Sequence, residues 1–86
     1  MMHTNLTTLP VHWDAIQRGD KTFDVRKNDR DFQVGDEVTL LRWEDGSIVM
    51  GWRGSVLKRR IRYIQTGGQF GIEPGYVVLQ LEDAHA

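Results

Sequence analysis

Two stretches of this chain carry residue types at spacings that could do chemistry. In GDKTFDVR, Gly19 to Arg26, a lysine (Lys21) precedes an aspartate (Asp24) and an arginine (Arg26). On an extended chain Asp24 and Arg26 are two apart and share a face. A cation, a carboxylate and a guanidinium thus gather at one point, where they could hold a phosphate or an exposed base. Lys21 and Asp24 are the catalytic candidates: a lysine depressed in pKa by desolvation or by Arg26 would serve as base, with Asp24 as the accompanying carboxylate. The competing interpretation is a structural Asp–Arg pair beside an exposed lysine.

The second stretch is Ser55 to Ile64, where Lys58, Arg60 and Arg62 alternate onto one face and Leu57, Ile61 and Tyr63 onto the other. At ~3.3 Å per residue the three charges span about 13 Å, enough to follow two or three phosphates. Arg59 falls on the inner side and needs the end of the sheet or a carboxylate. The alternative is a solvated strand face that blunts edge pairing. The net charge of −1, from eleven basic and twelve acidic residues, argues against a wholesale polyanion binder. The basic residues are nevertheless clustered. Arg18, Lys21, Arg26, Lys27 and Arg30 form one window; Arg53, Lys58, Arg59, Arg60 and Arg62 form another. Binding a backbone would need the two windows on one side of the fold.

Other chemistry is poorly supported. Zero cysteines exclude a disulfide framework, a zinc ribbon or a thiol nucleophile. His3, His12 and His85 lack metal-ligand spacing, so no metal site and no cofactor are expected. GGQFG opens no helix and makes a poor phosphate loop. No G-x-S-x-G is present.

The elements that must position these residues are short. Eighty-six residues, 40% hydrophobic and 27% charged, fit one small globular domain, residues 1–86, rather than disorder. No apolar run reaches the ~18–20 residues of a membrane span, and the N-terminus does not resemble a signal peptide; a cytoplasmic location without membrane contact is expected. His3 to Leu9 predicts an edge strand. Pro10 opens a helix over Val11 to Arg18, which Gly19 ends. Strands are predicted over Thr22 to Arg26, Glu37 to Trp43, Ser47 to Trp52, Ser55 to Ile64 and Tyr76 to Glu82. Asp45-Gly46 makes a hairpin; Lys27 to Asp36 and Thr66 to Gly75 are loops. The expected fold is mainly β: a small, partly closed β-barrel of five to six strands with one short helix near the N-terminus. The inward set is Trp13, Phe23, Val25, Val38, Leu40, Ile61, Tyr63, Val77, Leu79 and Leu81.

GDKTFDVR also resembles the G-x-K-x-x-E-x-R signature of the ASCH domain (activating signal cointegrator homology), a branch of the PUA-like superfamily. Extended through KNDRDFQVGD and joined to YIQTGGQFGIEPGYVVLQL, it is similar to a short bacterial and phage branch, over about His3 to Leu81. The resemblance implies a PUA-like barrel with a helix beside a cleft for RNA or a modified nucleoside. The signature Lys and Arg match Lys21 and Arg26, whereas its Glu is replaced by the shorter Asp24. Hydrolytic relatives acting on acetylated cytidine use a Lys and a Thr from this segment and a Glu from a helical insertion. Here Asp24 takes the Thr position, Thr22 is out of phase, and the insertion is missing.

Together these features favour a module for RNA or a nucleotide. The ligand would sit between helix and barrel against Lys21, Asp24 and Arg26, while Lys58, Arg60 and Arg62 extend the footprint. Phe32, Phe70 or Tyr76 would be the stacking platform. A small hydrolase or ribonuclease acting on RNA or a modified nucleoside is the first alternative. A protein-interaction module using the glycine-rich loop is the second. Oligomeric state has no signature in the sequence.

Overall fold

The computed structural model describes residues 3–48 and 56–84. In chain order the elements are β1 (His3–Thr8), α1 (Pro10–Arg18), β2 (Phe23–Lys27), β3 (Glu37–Glu44), β4 (Ser47–Ile48), β5 (Val56–Thr66) and β6 (Tyr76–Asp83). The chain is mainly β with one helix, as its alternation predicts. Of the expected strand Ser47 to Trp52 the part after Ile48 lies outside the described residues, as do Arg53, Ser55 and His85. Among the described residues no helix is long and apolar enough to cross a membrane.

Local chemistry explains the helix. Pro10 occupies its first turn, where a missing N–H leaves nothing unsatisfied. Gly19, at φ 85°, turns the chain out, and the N–H groups of Gly19, Asp20 and Lys21 return to the carbonyls of Ile16 and Ala15. Trp13 and Ile16, three apart, are the buried pair. The Trp13 Nε1–H donates to the Leu40 carbonyl at 3.0 Å and fastens α1 to β3.

The strands run β1-β3-β5-β6-β2, with β4 paired to β3. β1 lies parallel to β3; every other pairing is antiparallel. Among the described residues backbone pairing does not close the sheet: β1 and β2 are its two ends. Side chains link those ends. Arg26 Nη2 donates to Thr8 Oγ1 at 2.9 Å, and Arg30 Nη1 to the Asn5 carbonyl at 3.2 Å. The core combines Leu6, Trp13, Ile16, Phe32, Val38, Leu40, Leu57, Ile61, Val77, Leu79 and Leu81.

Three expected core residues face the solvent instead. Phe23 and Val25 are on the outer side of β2 because this strand pairs with β6 in the register Asp24↔Leu79 and Arg26↔Val77. Directly opposed residues share a face. Leu79 and Val77 are fully buried, so Asp24 and Arg26 go inward with them. Bonds at both ends of the ladder, Leu81 N–H to Thr22 O and Asn28 N–H to Gly75 O, each 2.8 Å, hold this register. Tyr63 is displaced by a different device. The pairing with β6 slips between Ile61 and Tyr63, leaving Arg62 as a bulge residue. One extra residue reverses the phase, so Tyr63 points out opposite Gln80 and Ile64 points in opposite Leu79. Phe32, expected as a stacking ring, is in the core; its N–H donates to Asn28 Oδ1 at 3.3 Å.

Candidate functional site

The structure separates the candidates that the sequence placed together. Asp24 is 5% exposed on the inner face, and its carboxylate accepts from Arg26 Nε at 2.5 Å. With the Thr8 hydroxyl taking another guanidinium N–H, this pair forms a satisfied internal latch between the sheet ends. Asp24 and Arg26 thus direct these hydrogen bonds to one another and to Thr8.

Lys21 is elsewhere. Its Nζ lies 2.8 Å from His12 Nδ1 on α1 and 5.1 Å from the centroid of the Phe23 ring. It also lines a cleft of about 210 Å³ at the helix end, with Ile16, Gly19, Thr22, Arg59, Leu81, Glu82 and Asp83. Arg59, the odd inward residue of β5, reaches Asp83 at 3.7 Å there. Two cations and two carboxylates balance in this small cleft. The Lys21 amine and the Asp24 carboxylate thus have different partners, His12 for the one and Arg26 for the other. Among the described residues no group of three or more His, Asp or Glu side chains is arranged to hold a metal ion.

The second basic window meets Lys21 at this cleft, but not as a free stripe. Arg60 and Arg62 share Glu82, at 3.9 and 3.2 Å, and Arg60 also donates to the Ala84 carbonyl at 3.0 Å. Lys58 is exposed and has no ion pair among the described residues. Opposite charges at such distances on the surface contribute little to stability, so a phosphate could displace Glu82 from Arg62.

The outer face of β2, β6 and β5 is the open surface. Its rows follow from register. Phe23, Gln80 and Tyr63 form one row; Val25, Val78 and Gln65 form the next; Lys27 and Tyr76 form a third. Phe23 is 44% and Tyr63 59% exposed. With neighbouring strands ~4.8 Å apart, the backbones that carry these two rings are about 10 Å from each other across Gln80. Lys21 borders this row at Phe23 and Arg62 borders it beside Tyr63. The sequence reading missed Phe23 and Tyr63 because alternation says which residues share a face, not which face is buried. Thr8, spaced to meet Arg26 from the other end of the sheet, is visible only in three dimensions.

Farther away, Arg42 bonds Asp14 through Nε and Nη2 at 3.1 and 3.2 Å and also pairs with Glu44. The Arg42 hydrogen bond holds the Asp14 carboxyl below its ordinary pKa, and the Asp14 carboxylate raises that of Arg42.

These features define a small, mainly β protein with one docked helix, an internal ion-pair latch and an open aromatic sheet face. The chain belongs to the family described as domain of unknown function (DUF3850), which matches residues 2–81. No curated protein matches it.

Proposed function

We propose that this chain binds single-stranded RNA on the outer face of β2, β6 and β5. One observation carries the proposal: two exposed aromatic rings, Phe23 and Tyr63, stand in one row of a sheet between the cations Lys21 and Arg62. Aromatic rings that stack on bases, with cations beside them for the phosphates, are how sequence-tolerant single-strand binding works. Gln80, between the rings, adds a donor and an acceptor for base edges. Lys58 and Arg60 extend the path along β5. The resemblance to ASCH domains and the PUA-like superfamily supports this reading, and a cytoplasmic location goes with it. The ligand path differs from the one the signature suggested, because Asp24 and Arg26 hold the sheet ends together instead of meeting the ligand. That Lys21 is engaged by His12 and Asp24 by Arg26 weighs against a hydrolase.

The test is fluorescence anisotropy of short labelled RNA and DNA at several salt concentrations. With three or four phosphates engaged at about −0.7 each, log affinity should fall with log salt at a slope of roughly −2 to −3. Phe23→Ala and Tyr63→Ala should each weaken binding by about tenfold, the lower end of base–aromatic stacking, with folding intact. Lys58→Ala should weaken all sequences alike. Binding no tighter than ~100 μM at low salt, weaker than ordinary non-specific affinity, would overturn the proposal.

A further inference from the structure

The outer face runs past Val25 and Val78 into the glycine-rich loop between β5 and β6. Gln69 and Ile72 form an isolated antiparallel bridge there, with Phe70-Gly71 as the two-residue turn at φ 53° and 78°. Positive φ at both central positions is the type I′ conformation, which favours Asn-Gly or Asp-Gly. The other such turn, Asp45-Gly46 at φ 52° and 79°, obeys that preference. Phe70 does not. A bulky side chain in the left-handed region is strained, and this ring is 87% exposed. Neither backbone preference nor burial accounts for it. The surrounding bonds hold it in place: Ile72 N–H to Gln69 O at 3.0 Å and Gly68 N–H to Ile72 O at 2.7 Å. Strain retained at an exposed aromatic suggests a contact with something outside the chain.

Beside the turn lies a cavity of about 380 Å³, lined by Val25, Gly71, Ile72, Glu73, Tyr76 and Val78. Apolar walls with a few polar groups are the usual composition of a small-ligand site. Glu73 supplies the only charge in the lining, and its carboxylate has no partner among the described residues. Lys27, exposed and directly opposite Tyr76 in the register, places a cation at the border. An ionised carboxylate only accepts hydrogen bonds. It therefore selects a base edge with two adjacent donors. Guanine has them, in N1–H and the 2-amino group. Adenine, cytosine and uracil each set an acceptor beside their donor.

We infer that this pocket takes one guanine base of a single strand, with Phe70 stacking on it from the turn. Glu73 accepts from N1–H and the 2-amino group, and Lys27 meets the adjoining phosphate. The inference deepens the RNA-binding proposal and rests on it.

The experiment uses four labelled RNAs: oligouridine of eleven residues, and the same strand with a central guanine, inosine or adenine. Anisotropy is measured for the wild type, Glu73→Gln and Phe70→Asn. Guanine should bind about tenfold tighter than uridine or adenine, the lower end of discrimination by a paired contact. Inosine, without the 2-amino group, should fall between. Glu73→Gln should abolish the guanine advantage, so that the guanine strand and oligouridine bind alike. Phe70→Asn should raise the melting temperature, because Asn suits the turn, while lowering affinity for the guanine strand. If all four strands bind equally, or Glu73→Gln keeps the preference, the pocket inference is overturned and the sheet-face proposal stands. A lower melting temperature in Phe70→Asn would make the ring structural and overturn its stacking role. If no strand binds, the RNA-binding proposal itself fails.

Discussion

β2 and β6 lie side by side and obey opposite rules. β6 sends Val77, Leu79 and Leu81 into the core and keeps Gln80 outside, as alternation on a half-buried sheet requires. Its partner sends Asp24 and Arg26 inward and leaves Phe23 and Val25 in solvent. The difference is position in the sheet. β6 is central, between β5 and β2, and its inner residues meet apolar neighbours. β2 is an end strand whose inner side meets Thr8 at the end of β1, so polar groups there complete one another across the opening. The apolar residues displaced outward become the surface available for a ligand.

Removing a central member of β6 should have the largest effect. Leu79→Ala deletes a fully buried side chain and should cost about 2–5 kcal/mol, measured by urea unfolding. Inside β2, Asp24→Ala strands the largely buried Arg26 guanidinium and should cost about 3 kcal/mol. Replacing both by apolar residues should cost less than the single change. A harmless Asp24→Ala would mean that the latch does not hold the sheet ends, and the contrast between the strands would lose its cause. Gly67→Ala probes the loop beside β6. A Cβ there would meet the Glu73 carbonyl at 1.9 Å and the Tyr76 carbonyl at 2.6 Å, so roughly 1–3 kcal/mol of overpacking should appear in the melting curve.

Phe23→Ser belongs to the outer side and should change stability by about 1 kcal/mol or less, while weakening RNA binding. A larger destabilisation would show that its ring serves packing.

The smallest effect concerns a second Asp–Arg pair, one whose carboxylate is far more exposed than that of Asp24. Arg42 holds the Asp14 carboxyl below its ordinary value of 3.8. A carboxylate depressed in the folded state stabilises above its unfolded pKa and loses that contribution as pH falls through the folded value. Asp14→Asn should therefore flatten the acid side of the stability–pH profile below about pH 4 and leave its shape unchanged from there to neutrality. An unaltered acid limb would show that this outer pair contributes nothing to folding.

Among the described residues the order of the elements and most of their bounds were legible because local chemistry sets them. Pro10 and Gly19 delimit α1, Asp45-Gly46 makes the first hairpin turn, and breaker-rich segments separate the strands. β6 and the inner half of β3 could also be assigned to the core, since Val38 and Leu40 in one and Val77, Leu79 and Leu81 in the other alternate onto the more apolar face. The grouping of Asp24 with Arg26 was equally a consequence of their spacing. Which way that pair points was decided by tertiary structure. A strand two residues in period has two faces, and only its register against Leu79 and Val77, with Thr8 arriving from β1, selects the inner one. The bulge at Arg62 likewise reverses Tyr63 through pairing with β6, a long-range contact that no local pattern encodes. The candidate surface depends on both decisions: Phe23 and Tyr63 are aromatic by sequence, but exposed neighbours by register.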